Sequence, residues 1–387
     1  MEPIIVGWGH TPFGRLDQLS LEDLIHAAAK EALTSAGVEG KDVDAVWLGH
    51  FNSGLVRDSF CSSMVLSIDP GLRYKPAVRC ENACATGSAA VYGAIDAIRS
   101  GRVKVALVVG VEKMTGADTA AVTLALGNAG YLKNEASYSF PDIFARYAIA
   151  YEKAFGDPTE AMAHIAVKNH LNAVRNPLAH MRRTLDLSYC LAPSTKNPVI
   201  SAPLKVTDCS LISDGAAALV LVAHEMLADF PKAAGFKAYQ QVNDYLPMSA
   251  KDPVAFEGPR RAIDQAYRQA GITVGDLSLV EVHDCFTIAE LLMVEALQLA
   301  RPGEGRKAVI DGVTSRDGRL PMNLSGGLKA KGHPVGATGV SMHVMAARQV
   351  LGMAGEMQLP GASLAMTVNM GGDAVSTYAS ILEPIKT

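Results

Sequence analysis

An α/β layered fold made of two similar halves is what this sequence predicts. Three observations lead there. Strand-like and helix-like segments alternate, two stretches recur in the same order, and one half carries a long insertion with little strand signal. Short apolar runs rich in β-branched residues read as buried strands at residues 4–8, 45–48, 103–111, 216–223, 277–282 and 363–368. Helical spacing of apolar residues predicts helices over 21–36, 85–99, 260–270, 288–300 and 340–351. The first of these has Ser20 placed to cap it and Gly37 placed to stop it.

Shifting the chain by 234 residues lays 32–46 on 266–280 without a gap; Ala36-Gly37-Val38 then meets Ala270-Gly271-Ile272. A shift of 252 lays Ala85-Thr86-Gly87 on Ala337-Thr338-Gly339. Two matches in the same order divide the chain at about 1–230 and 231–387. The first half is the longer because of residues 117–203, whose stretch 161–185 has no acidic residue but carries Lys168, Arg175, Arg182 and Arg183. Such a basic run serves either as a solvated helix face or as a contact for an anionic ligand.

Composition narrows the function. Hydrophobic residues make up 49% and charged residues 19% of 387, enough for a large core in more than one domain. With 35 basic against 39 acidic residues, the net charge of −4 gives no reason to expect nucleic-acid or membrane-surface binding. The beginning of the chain does not read as a signal peptide, and no apolar run approaches a membrane span. Six cysteines without a Cys-x-x-Cys pair predict neither a zinc ribbon nor a disulfide framework, and suit a reducing cytoplasm.

Cys84 stands where a turn-rich segment gives way to a helix, among the small residues Ala83, Ala85 and Gly87. A helix start favours the thiolate through its dipole and free N–H groups, although a lone cysteine also serves as a buried apolar residue. Opposite Cys84 in the second half lies Gly336, with His333 three residues earlier. If the halves pack about a pseudo-twofold axis, the two helix starts bring a thiol and a base together; otherwise His333 is an ordinary loop histidine. His283-Asp284-Cys285-Phe286 follows a predicted strand, where His283 and Cys285 can share a face or serve only in packing. Asn369-Met370-Gly371-Gly372 follows the last apolar run, as a plain turn or as a source of backbone donors for an oxyanion.

Asn82-x-Cys84-Ala85-Thr86-Gly87, His283-Asp284-Cys285-Phe286, Gly332-His333-Pro334 and Asn369-Met370-Gly371-Gly372, in this order, resemble the thiolase superfamily. The closest likeness is to its sterol-carrier-protein-type and archaeal-like branch, and it covers nearly the whole chain. The resemblance implies a five-layered αβαβα fold with an inserted loop domain over coenzyme A. It implies an acyltransferase that makes or cleaves 3-oxoacyl-CoA through an acyl-enzyme. Cys84 would be the nucleophile, His333 its activator, and His283 with His333 one oxyanion hole. The amides of Cys84 and Gly371 would form the second hole. Asn369 stands where other thiolases carry their acid/base cysteine, so Cys285 takes that role by the same resemblance. Lys168, Arg175, Arg182 and Arg183 would face the phosphates of coenzyme A. Coenzyme A thioesters are then substrates, with no metal and no prosthetic group, in a homodimer or homotetramer. A decarboxylating condensing enzyme, a non-catalytic acyl-CoA or lipid-binding protein, and an enzyme that works with a partner acyl-transfer enzyme are the alternative readings.

Overall fold

The computed structural model describes residues 2–385. Its strands are β1 (Pro3–His10), β2 (Ala45–Gly49), β3 (Ala77–Cys80), β4 (Val105–Glu112), β5 (Val199–Ser201), β6 (Leu204–Lys205), β7 (Gly215–Ala223), β8 (Ala233–Asn243), β9 (Leu279–Val282), β10 (Ala365–Gly371) and β11 (Ser376–Ile385). Its α-helices are α1 (Leu21–Ala36), α2 (Thr86–Arg99), α3 (Thr119–Gly127), α4 (Leu132–Glu135), α5 (Phe140–Phe155), α6 (Thr159–Ala173), α7 (Leu187–Leu191), α8 (Glu257–Ala270), α9 (Thr287–Ala296), α10 (Gly305–Ile310) and α11 (Val335–Val350).

Nine strands hydrogen-bond in the order β3-β2-β4-β7-β1-β8-β11-β10-β9. Read outward from the β1–β8 seam, the two sides match: β1, β7, β4, β2 on one and β8, β11, β10, β9 on the other. Parallel pairs β2–β4 and β9–β10 hold corresponding places, and the seam itself consists of Ile4 opposite Gly235 and Ile5 opposite Ala234. The recurring helices α1 and α8 precede β2 and β9, and α2 and α11 precede β4 and β10.

Alternation along the strands sorts the side chains into layers. Ile4, Val6, Val46 and Leu48 pack with α1 on the outer face of the first half-sheet. Ile5, Trp8, Ala45 and Trp47 face the other way, into a core shared with α2, α11 and the inner face of the second half-sheet. Val280, Val282, Met366 and Val368 pack outward against α8, α9 and α5. The layers therefore run helix, sheet, helices, sheet, helices, which is the five-layered architecture expected.

The middle layer is tight at two matched glycines. A Cβ on Gly87 would lie 2.8 Å from the carbonyl of Gly336, and one on Gly339 would collide with the backbone nitrogen of Ser88. Only glycine lets α2 and α11 approach this closely, and that approach brings their first turns to one place.

All six expected strands and all five expected helices are present, with shifted ends. β8 and β11 escaped the sequence reading because they lack apolar runs. In β11, Ser376, Thr377 and Ser380 are buried, and the hydroxyls of Ser376 and Ser380 are engaged by Asn82 and His343. The insertion at 117–203 is chiefly helical, holding α3 to α7.

Candidate active site

Between β3 and α2 the chain makes a strained turn. Ala83 sits at φ +48°, a left-handed conformation that costs a residue with a Cβ. Its N–H donates to Glu81 Oε1 at 2.6 Å, and the N–H of Asn82 donates to Thr86 Oγ1 at 2.8 Å. Asn82 Nδ2 also donates to Ser376 Oγ and Tyr378 Oη on β11. Held from both halves, the turn presents Cys84 inward, 9% exposed.

The expected lowering of the Cys84 pKa by the helix start is overturned. Burial pushes this thiol up to about 12, and the Glu112 carboxylate adds to the rise, although the amides of Gly372 and of Cys84 itself point at the sulfur. Desolvation outweighs the dipole, so Cys84 rests as a thiol and needs a base.

His333 is placed to be that base, and its hydrogen bonds fix which nitrogen is free. Thr338 Oγ1 donates to the Pro334 carbonyl at 2.8 Å, which uses its single proton. The 2.7 Å contact to His333 Nδ1 must then have the ring donating, leaving Nε2 with its lone pair. Burial, followed by the Lys331 charge, lowers this imidazole to about 3.

His283 is set the opposite way. Asn369 Nδ2 donates to the Cys84 carbonyl at 3.2 Å, and Asn369 Oδ1 accepts from Ser88 Oγ at 2.8 Å, which fixes the amide's orientation. The same Nδ2 lies 2.9 Å from His283 Nδ1, so that nitrogen accepts and Nε2 carries the proton. Nε2 is buried with no partner among the described residues, a donor ready for a substrate oxygen. Burial, then His333, holds this ring neutral, well below the usual imidazole range. The two rings stand edge to face, 5.1 Å between centroids.

Cys84 Sγ and one ring nitrogen from each histidine all lie within 4.8 Å of one another. Such a trio could hold a metal only with a bare nitrogen of His283 turned to it, which the present tautomer does not provide at Nε2. Cys285 lines the same cavity of about 280 Å³ as Cys84 and His333. Its thiol is pushed well above its ordinary range, first by burial and then by Cys84.

Residues 3–183 match the family described as thiolase, N-terminal domain, and residues 240–384 match thiolase C-terminal domain-like. An acetyl-CoA acetyltransferase of Methanothermobacter thermautotrophicus is 37% identical over 95% of this chain and 96% of its own length. This chain belongs to the thiolase family. Human sterol carrier protein 2 is 30% identical over 95% of this chain and 69% of its own. Among solved structures, the Ltp2-ChsH2(DUF35) aldolase superposes with a TM-score of 0.81 at 22% identity, covering 100% of this chain and 98% of that one. The human mitochondrial 3-ketoacyl-CoA thiolase does so at 0.76 and 18%, covering 100% and 99%.

Within this thiolase fold, Cys84, His333, His283 and Cys285 come together, and the other expected residues disperse. Gly372 rather than Gly371 lines the cavity and offers its amide to the sulfur; Gly371 packs on Asn82 and Ala85. Lys168 is buried, 2.8 Å from Glu290, and holds Asn169 and the Met322 carbonyl, so it does not reach an outside phosphate. Arg182 is exposed and bonds the Val174 carbonyl, Arg175 is half-buried, and Arg183 alone of the four lines the cavity. Thr338 and Asn369 are the residues that sequence reasoning missed. Thr338 was visible only as part of the repeated triplet, and Asn369 only as a missing cysteine. Their roles depend on contacts that no local pattern encodes.

Proposed function

We propose that the protein is a thiolase acting on acyl-CoA, an acyl-CoA C-acyltransferase that cleaves and forms 3-oxoacyl-CoA through an acyl-enzyme on Cys84. The meeting of Cys84 with two neutral imidazoles of opposite tautomer carries this reading. In thiolysis, Cys84 Sγ adds to the 3-oxo carbon as His333 Nε2 takes the thiol proton. The oxyanion that develops on the 3-oxo oxygen, which becomes the acyl-enzyme carbonyl, meets the amides of Cys84 and Gly372, while His283 Nε2–H meets the thioester oxygen that gains charge as the C2 side leaves as an enolate. The C2–C3 bond breaks, and Cys285, a thiol at rest, gives its proton to C2 to release acetyl-CoA. Free coenzyme A then attacks the acyl-enzyme, its thiol proton returning to Cys285, and the proton on His333 returns to Cys84. Condensation is the reverse.

This chemistry calls on coenzyme A thioesters alone and uses no metal or prosthetic group. Six free thiols suit a reducing compartment such as the cytoplasm. No helix among the described residues is long and apolar enough to cross a membrane. β3 lies at a sheet edge with Val78 47% exposed, which suits pairing with a second copy in a homodimer or tetramer. The solved neighbour that bears two names in its description supports a partner enzyme as an addition to this scheme.

The test is covalent labelling. Radiolabelled acetyl-CoA should acylate the wild type stoichiometrically and leave Cys84→Ala unlabelled, while Cys285→Ala is labelled but neither condenses nor cleaves. Label retained by Cys84→Ala would remove the nucleophile assignment, and normal turnover by Cys285→Ala would remove that of the acid/base.

A further inference from the structure

Four lysines are buried among the described residues, and three of them have partners. Lys168 pairs with Glu290 and Lys205 with Asp208, at 2.8 and 2.7 Å. Lys331 donates to Ser341 Oγ at 3.0 Å. Lys329, 3% exposed, has neither a carboxylate nor a hydrogen-bond acceptor for its ammonium among the described residues, and it lines the cavity that holds Cys84. The carboxylates nearest to it are already engaged. Asp208 accepts from Lys205 and Thr287, and Asp284 accepts from Asn169 and from the amides of Leu328 and Lys329.

An ammonium that faces a cavity with no direct ion pair is costly: burial lowers the Lys329 pKa although Asp208 and Asp284 lie near enough to oppose this, and the cost is relieved by an anion that comes with a ligand. The cavity describes that ligand. Leu126, Phe140, Leu185, Ile212 and Phe286 give it apolar walls, while Thr207 Oγ1 on the same wall is buried and unpartnered. His170 Nδ1 donates to the Arg183 carbonyl, leaving a buried Nε2 without a partner. Burial, followed by the Lys329 charge, holds that ring neutral. An apolar chain ending in a carboxylate matches such a wall; a coenzyme A phosphate belongs at the mouth, where Arg183 is exposed.

We propose that this cavity takes acyl groups that end in a carboxylate, with Lys329 holding the far end. The proposal rests on the thiolase reading above and names its substrate class as the monothioesters of dicarboxylic acids. A kinetic comparison tests it on the full-length enzyme. The kcat/KM for thiolysis of 3-oxoadipyl-CoA and 3-oxosuberyl-CoA is measured against 3-oxohexanoyl-CoA and 3-oxooctanoyl-CoA, which have the same chain lengths and a methyl end. The carboxylate substrate should win by roughly 10- to 100-fold at one length or both, the order expected when a buried charged group loses its only partner. In Lys329→Met that ratio should collapse toward one.

Equal wild-type rates at both lengths would overturn the proposal. So would a Lys329→Met variant in which both substrate types fall by the same factor, since the lysine would then serve the coenzyme A arm or the fold. Should no 3-oxoacyl-CoA be cleaved, the reaction assignment fails by itself. Calorimetric titration with adipyl-CoA against hexanoyl-CoA then decides the carboxylate pocket, with tighter adipyl-CoA binding supporting it and equal binding overturning it.

Discussion

The two halves carry the same helix start and use it for different chemistry. In the first, the turn before α2 carries a thiol; in the second, the matched position is Gly336, already in the first turn of α11, with the base His333 held back in the loop. Each start is steadied by the other half. Glu112, at the end of β4, accepts the N–H of Gly336 at 2.9 Å. Asn369, near the end of the corresponding strand β10, binds the Cys84 carbonyl and Ser88. A carboxylate suits the first place because Gly336, Phe51 and Asn52 all bring donors to it. The second place needs a donor toward Cys84 and toward His283 Nδ1, which only the amide can supply. Duplication thus supplies the symmetry of the site, and a difference of one functional group supplies its polarity.

Making the two places alike should break the site. Asn369→Asp puts an acceptor beside His283 Nδ1, moves the ring proton to that nitrogen and takes it from Nε2. We expect kcat for thiolysis of acetoacetyl-CoA to fall by about 10²- to 10³-fold, as when an oxyanion donor is lost. A fall in kcat of less than about threefold would show that the tautomer of His283 does not matter, given that the loss of one donor is expected to cost far more.

The closeness of the halves should fail next. Gly339→Ala forces a methyl against the Ser88 backbone, which cannot move aside without displacing α2. A loss of roughly 1–3 kcal/mol in denaturant unfolding is expected. The matched substitution Gly87→Ala should cost a similar amount, and a large inequality between them would mean that the contact is not symmetric.

Acid gives the most graded effect. Burial lowers His10 and His333 to about 3 and His343 to about 4. Each of these rings is neutral when folded but takes a proton when unfolded below pH 6.5. Its contribution to stability is complete above pH 6.5 and is lost as pH falls toward its folded value, by about 1.4 kcal/mol per pH unit for each ring. His50 runs the other way. Burial opposes its charge, but Cys61 and Glu112 raise it to about 9, so its contribution is present below pH 6.5 and fades as pH rises through 9. Thermal melts should therefore show stability dropping from pH 6.5 to 5 more steeply than from 7 to 8. A flat acid limb would contradict the neutral burial of these rings.

Most of the architecture could be read before any coordinates, and for a local reason. Strand and helix periods are written in adjacent residues, and the 234- and 252-residue shifts showed that one unit occurs twice. Cys84, His333, His283 and Cys285 stood out because each lies at an element end beside small or turn-forming residues. β11 did not stand out, since its buried hydroxyls read as surface until Asn82, Tyr92 and His343 are seen to satisfy them, and β8 did not because its second half is polar and only partly buried. The basic run was misread for the converse reason: Lys168 looks exposed until Glu290, 122 residues away, is found against it.

The sequence by itself determined the layered fold, its duplication and the residue types gathered at the two helix starts, because these follow from short-range pattern and from glycine at matched positions. Tertiary structure alone decided the protonation of the site. Whether Cys84 is thiol or thiolate, and which nitrogen of each imidazole is bare, depends on desolvation and on hydrogen bonds from Asn369, Thr338 and Gly372. Those are properties of the space around a residue, and distant parts of the chain create that space only when they pack.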